Sequence, residues 1–106
     1  MKKQLFIHDG NVYSRLSERE IYYIEVLGRV CHIRTEDHQF EISIPLKELL
    51  TSLNTKFIQV HRSYAVNIEK IENFDTNLLS LTIHGLKFNI GRSYKESFLD
   101  RIDRLG

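Results

Sequence analysis

The sequence predicts a mainly β domain with one short internal helix and one C-terminal helix. Two patterns support this prediction. Short runs alternate apolar and polar residues, and two other segments repeat their apolar residues with helical spacing. Glycines mark several junctions between the alternating runs. A chain of 106 residues fits a single domain, 1–106, with one main core.

The N-terminal residues predict a hairpin followed by a central strand. Residues 5–7 and 12–13 flank an Asp9-Gly10 pair, which is a strong signal for a hairpin turn. Residues 21–26 are apolar on both faces, which is typical of a strand inside a sheet rather than at its edge. Gly28 is expected to end this strand.

Four further segments, two before and two after the middle of the chain, are expected to form strands. Residues 30–35 follow the glycine as the next strand, and residues 39–44 alternate as a half-buried strand should. Residues 79–83 and 86–90 alternate around His84-Gly85 and therefore predict a second hairpin.

Residues 45–53 predict the internal helix. Its apolar stripe has the spacing i, i+3, i+4 and i+7, and is formed by Leu46, Leu49, Leu50 and Leu53. Pro45 suits the first helical position, and Asn54 suits a left-handed C-terminal cap.

Residues 93–104 predict the C-terminal helix. Ser93 and Glu96 have the spacing of a capping box, which would fix the start of the helix. The expected buried stripe consists of Tyr94, Phe98, Ile102 and Leu105.

The composition is that of a soluble globular protein, with 42% hydrophobic and 27% charged residues. We find no apolar run of membrane-spanning length, and from the short apolar stretch after the basic start we expect no secretory leader. Cys31 is the single cysteine, so it cannot form an internal disulfide, and we expect a cytoplasmic protein. The net charge is only +1, so any DNA-binding cations must be concentrated on one face.

The pattern does not favour an enzyme. None of the five histidines stands at a metal-ligand spacing, and no phosphate-binding glycine loop is present. Cys31 and His32 are neighbours in one predicted strand, so they point to opposite faces and cannot act as a nucleophile and its base. We therefore expect no catalytic residues, no metal and no cofactor.

Three short polar segments are candidates for binding. His61, Arg62 and Ser63 lie between two apolar stretches and predict an exposed connection. Arg92 and Ser93 follow Gly91 at the predicted start of the last helix, where Lys95 is close and the helix dipole would favour an anion. Arg29 follows Gly28 in the loop between two strands. From the spacing alone, each arginine is also compatible with an ordinary surface residue, and Arg29 is the weakest of the three candidates because many hairpin loops contain an arginine.

Several elements of the sequence, in order, resemble the LytTR DNA-binding domain family. Residues 57–67, FIQVHRSYAVN, resemble its most diagnostic stretch, F-x-x-x-H-R-S-x-x-V-N, and residues 90–94, IGRSY, resemble its closing V-S-R-x-Y element. Tyr23-Ile24-Glu25 and the segment Pro45-Leu46-Lys47-Glu48-Leu49 look like parts of its first half. The likeness runs from about residue 21 to about residue 99.

The resemblance implies a fold of about ten short strands in small sheets, with short helices near residues 45–53 and 93–104. It also implies the output domain of a bacterial response regulator of a two-component system, which grips successive grooves of double-stranded DNA through loops. Arg62 and Arg92 then fall on DNA-contacting positions, and the third contact comes from Arg29 or Val30. Asn67 matches a motif position for which we expect a structural role, capping the turn that follows it.

Such regulators bind promoters, often at direct repeats, and the resemblance leaves open a homodimer on DNA and a receiver domain in a longer protein. Gln59 departs from the family pattern, because an arginine is common at that position. With the near-neutral charge, this keeps a second hypothesis open, in which a protein-interaction module of the same fold inhibits or titrates a DNA-binding partner.

Overall fold

The computed structural model describes residues 4–53 and 56–105. Within them, ten short strands form three antiparallel sheets of two, five and three strands. This confirms the predicted mainly β class with small sheets and short helices.

The two-stranded sheet is the N-terminal hairpin of β1 (Leu5–Asp9) and β2 (Val12–Leu16). Its inward residues Leu5, Ile7 and Leu16 pack on the main core. Gly10, in the turn, has a φ of +63°, a conformation that glycine adopts without strain. The hairpin predicted from Asp9-Gly10 is therefore confirmed.

The five-stranded sheet is the centre of the fold. Its strands are β3 (Tyr23–Leu27), β4 (Val30–Arg34), β5 (Gln39–Ile42), β6 (Phe57–His61) and β7 (Tyr64–Asn67). They lie in the order β5-β4-β3-β7-β6, so β3 is the middle strand, as its apolar pattern predicted.

The three-stranded sheet consists of β8 (Asn73–Asp75), β9 (Ser80–Ile83) and β10 (Leu86–Asn89). The predicted hairpin around His84-Gly85 is confirmed, and both turn residues have positive φ angles, of 49° and 77°. The sequence pattern did not predict β8, which is only three residues long.

Two apolar clusters cover opposite faces of the central sheet. The first contains Ile24 and Ala65 together with the N-terminal hairpin and helix α1 (Leu46–Ser52). The second contains Val60 and Val66 together with the three-stranded sheet and helix α2 (Lys95–Asp100). Neighbouring residues of β7 alternate between the clusters because successive strand side chains point to opposite faces.

Helix α1 agrees with its predicted stripe, since Leu46, Leu49 and Leu53 are buried and Leu50 is half-buried. Pro45 is the extended N-cap residue rather than the first helical residue, so the helix begins one position later than predicted. The predicted cap at Asn54 lies outside the described residues.

Helix α2 is shorter than the predicted 93–104. A 3-10 turn, Arg92–Tyr94, precedes it, and the helix ends at Asp100. Phe98 is buried as expected, but Leu105 is 98% exposed, so its place in the buried stripe was wrong. Leu105 lies five residues beyond the last helical residue and no longer follows the helical period.

Three other short segments complete the outline: 3-10 turns at Glu18–Glu20 and Ile68–Lys70, and a turn at residues 76–79. Asn67 is the N-cap of the second 3-10 turn, where its side chain accepts a hydrogen bond from the Glu69 N–H. This confirms the structural role expected for Asn67. No helix within the described ranges is long and apolar enough to cross a membrane.

Candidate nucleic-acid interface

Arg62 lies at the tip of a tight hairpin. Arg62 and Ser63 form the two-residue turn between β6 and β7, and His61 pairs with Tyr64 at its base. The Arg62 side chain is exposed, whereas His61 and Ser63 are half-buried. The predicted exposed connection is therefore present, and Arg62 is its most accessible residue.

Arg29 lies in the neighbouring turn. Gly28 and Arg29 connect β3 to β4, and Gly28 has a φ of +63°. The Val26 N–H donates to the Ser63 carbonyl at 2.7 Å, which continues the ladder between β3 and β7 to the Arg62 turn. Paired strands are about 5 Å apart, so the two turns lie side by side. Arg29 is exposed and Val30 is half-buried, so Arg29 is the more accessible of the two candidates for the third contact.

Arg92 lies beside the other edge of the Arg62 hairpin. The Gly91 N–H donates to the Val60 carbonyl at 2.7 Å, and this bond joins the segment to the end of β6. A Cβ atom on Gly91 would lie only 3.0 Å from the Tyr94 ring, so the close approach favours glycine. Arg92 and Ser93 are exposed, and Lys95 is half-buried.

The predicted capping box at Ser93 and Glu96 is wrong. Ser93 lies inside the 3-10 turn, whose N-cap is Gly91, and helix α2 has no side-chain cap. The Tyr94 N–H bonds the Gly91 carbonyl instead, so the backbone closes the turn before the helix begins. The expectation that the start of the helix favours an anion near Arg92 stays a prediction, since α2 itself begins three residues after Arg92.

The three arginine turns occupy one end of the central sheet. Along that end, the Arg29 turn joins β4 and β3, the Arg62 turn joins β7 and β6, and the Arg92 segment is bonded to β6. We call this row of Arg29, Arg62 and Arg92 the arginine edge. Three exposed guanidinium groups on adjacent turns can pair with phosphate oxygens or with base edges of one nucleic acid.

Tyr64 connects the arginine edge to the three-stranded sheet. Its hydroxyl donates a hydrogen bond to the Asn89 carbonyl, and its ring contacts Phe88 edge-on with centroids 5.4 Å apart. Burial raises the pKa of the Tyr64 phenol, and the charge of Glu25 raises it further. The sequence patterns did not single out Tyr64. The available signal was an aromatic residue directly after the polar segment His61-Arg62-Ser63.

Cys31 and His32 are neighbours in β4 and lie on opposite faces of the sheet. Cys31 is fully buried in the first cluster, where burial raises the pKa of its thiol, and it donates to the Ile44 carbonyl at 3.2 Å. His32 lies on the other face and bonds Gln39 at 2.8 Å, as the strand alternation predicted. Among the residues that the structure describes, no cluster of three or more potential ligands could hold a metal ion.

Comparison with protein families identifies the domain. The family described as the LytTr DNA-binding domain matches residues 13–103. The chain belongs to this family. The LytTr match includes all three turns of the arginine edge and both helices.

Known relatives agree with this assignment. The transcriptional regulatory protein LytR of Staphylococcus aureus strain N315 is 31% identical over 88 residues, which cover 78% of this chain and 36% of LytR. LytR of strain MW2 is 30% identical over the same length. The chain thus spans about a third of the length of these relatives. A solved LytTr DNA-binding domain from Bacillus cereus has the same fold, with a TM-score of 0.81, 21% identity, and coverage of 95% of this chain and 97% of that one.

Proposed function

We propose that this LytTr domain binds double-stranded DNA sequence-specifically, as the output part of a bacterial transcription regulator. The observation that carries the proposal is the arginine edge, in which three exposed arginines lie on adjacent turns at one end of a sheet. The low net charge of +1 fits this view, because only one end of the domain has to be cationic.

Arg62 and Arg92 are the proposed base-contacting residues. The planar guanidinium group can donate two hydrogen bonds to guanine O6 and N7 in the major groove, which a lysine cannot do with the same geometry. The two turns are joined through the Val60 carbonyl, so they can enter neighbouring parts of one duplex. Arg29 in the adjacent turn is the proposed third contact.

Three other polar residues next to the arginine edge are proposed to bind the DNA backbone. Ser63, Ser93 and Lys95 lie within three residues of Arg62 or Arg92, where a duplex held by those arginines would pass. Contacts of this kind fix the register of the protein on DNA without carrying sequence information.

We further propose that the domain acts inside a longer cytoplasmic regulator with a receiver domain, and that two copies bind promoter direct repeats. The chain covers about a third of the curated relatives, which leaves room for another domain in such a protein. No enzymatic step is proposed for it. Two half-sites about one helical turn, or roughly 10 bp, apart should then bind two domains cooperatively.

Selection of bound duplexes from a random pool tests this function. We expect enrichment of a defined site, and an affinity for that site that falls steeply with salt as phosphate contacts are screened. The Arg29→Ala, Arg62→Ala and Arg92→Ala triple variant, if still folded, should enrich nothing. Failure of the wild-type domain to bind any duplex at low salt would contradict the proposal and favour the protein-interaction module.

A further inference from the structure

One of the two ring nitrogens of His61 is hydrogen-bonded within the protein. The Ser63 N–H donates to His61 Nδ1 at 3.1 Å. An imidazole nitrogen that accepts a hydrogen bond carries no proton, so the neutral ring has its proton on Nε2. Ser63 is the second residue of the turn that presents Arg62, so this bond closes the turn from within.

The ring itself is held by its neighbours. It stacks on Tyr64 with centroids 4.6 Å apart and planes only 6° from parallel. Tyr64 is in turn bonded through its hydroxyl to the Asn89 carbonyl at the end of β10. The orientation of the His61 ring is therefore held by Tyr64, which is itself bonded to the three-stranded sheet.

The backbone of His61 is held as well. The ladder between β6 and β7 shifts register between Gln59 and His61, and the Gln59 side-chain amide donates to the His61 carbonyl at 3.1 Å. The residue before Arg62 thus has both its ring and its carbonyl engaged within the protein. A side chain with this arrangement is suited to shaping the turn.

We propose that His61 is a positioning residue, which uses Nδ1 to hold the Ser63 N–H and thereby fixes the turn that directs Arg62 toward DNA. The proposal rests on the DNA-binding function proposed above and deepens it. It differs from a direct contact, in which His61 would bind DNA through Nε2. A turn held in one conformation before binding loses less entropy on binding, which favours the cognate site.

Two conservative variants separate the two roles. The asparagine Oδ1 atom lies close to the place of Nδ1, so His61→Asn keeps an acceptor for the Ser63 N–H. The longer glutamine side chain in His61→Gln instead brings its amide toward the place of Nε2. His38→Asn is the matched control, because His38 is exposed in the loop between β4 and β5, at the opposite end of β4 from Arg29.

The test measures affinity for the selected site and for a random duplex at one salt concentration. We expect His61→Ala to weaken cognate binding about 3- to 10-fold, the effect of one net hydrogen bond. His61→Asn should stay within about twofold of the wild type, and His61→Gln should resemble alanine. Rescue by glutamine but not by asparagine would overturn the proposal, as would an unchanged affinity in His61→Ala.

A second readout uses the free protein and needs no DNA. Hydrogen exchange of the Ser63 amide should be faster in His61→Ala than in the wild type and should slow again in His61→Asn. Nitrogen-15 shifts of the ring should show the proton on Nε2. A proton on Nδ1, or Ser63 exchange that is the same in all variants, would overturn the proposal. If no duplex binds even the wild type, the proposed function fails, and the exchange data still decide whether His61 holds the turn.

Discussion

Asn67 is the buried polar side chain whose removal should damage the fold most clearly. It is only 2% exposed, and it uses both ends of its amide. Its Nδ2 donates to the Ile21 carbonyl at 2.9 Å, and its Oδ1 accepts from the Glu69 N–H at 3.0 Å. The side chain thus connects the end of β7 to the segment before β3 and to the following 3-10 turn.

The expected cost of Asn67→Ala follows from these two bonds. Loss of an N-cap costs about 0.5 to 2 kcal/mol, and a buried carbonyl left without its donor costs about 1 to 3 kcal/mol. Together they should lower the free energy of unfolding by about 2 to 4 kcal/mol. For a domain of this size, that is a fall in Tm of roughly 10 to 30 °C.

Urea unfolding followed by circular dichroism measures this cost. Asn67→Asp keeps an acceptor for the Glu69 N–H but places a buried carboxylate oxygen against the Ile21 carbonyl, so its stability should fall at least as far as that of Asn67→Ala. Asn73→Ala, on exposed β8, is the control and should stay within about 0.5 kcal/mol of the wild type. If Asn67→Ala were no less stable than Asn73→Ala, the structural role assigned to Asn67 would be refuted.

Three further predictions concern the core, the interface and pH. Leu49→Ala and Phe98→Ala should each cost about 2 to 5 kcal/mol of stability in urea unfolding, because both side chains are buried; unchanged midpoints would contradict the helix packing. Lys95→Ala should weaken all duplexes alike and reduce the log-log salt slope by about one unit, whereas a wild-type slope would exclude a phosphate contact. Burial raises the pKa of the Tyr64 phenol in the folded protein. The stability that the neutral phenol contributes should therefore be complete below the ordinary phenol pKa of about 10 and be lost as the pH rises through the pKa in the folded protein. Tyr64→Phe should lose this fall of Tm at alkaline pH, and a variant whose Tm falls like that of the wild type would contradict the prediction.

Local pattern was sufficient for most of the fold. The hairpins around Gly10 and Gly85 and the central position of β3 follow from turn chemistry and from apolar alternation, which act over a few residues. The stripe of α1 was predictable for the same reason. Strand β8 was not, because three residues are too few to show a period.

The capping error at Ser93 lies where a tertiary contact overrides a local signal. Ser93 has the sequence of a cap, but the bond from Gly91 to the Val60 carbonyl fixes the backbone one turn earlier. From the residue pattern alone, the arginine edge was predictable only as three separate turns, and it was the family resemblance that implied that Arg29, Arg62 and Arg92 act together. Their neighbourhood depends on the pairing of β3 with β7 and of β6 with Gly91, between residues far apart in sequence. Tyr64 was missed because its partner Asn89 lies 25 residues away.

The most direct test of the arginine edge is the affinity of Arg62→Ala and Arg92→Ala for the selected site and for a random duplex, at one salt concentration. Arg34→Ala is the matched control, because Arg34 is exposed at the far end of β4 from the Arg29 turn. Melting curves of all variants show whether each remains folded.

Each of the two variants should lose about 1 to 3 kcal/mol of binding free energy on the cognate site and much less on random DNA, with its Tm unchanged. Arg34→Ala should bind both duplexes like the wild type. Cognate binding that survives both substitutions in folded protein would contradict the central claim that these arginines read the DNA sequence.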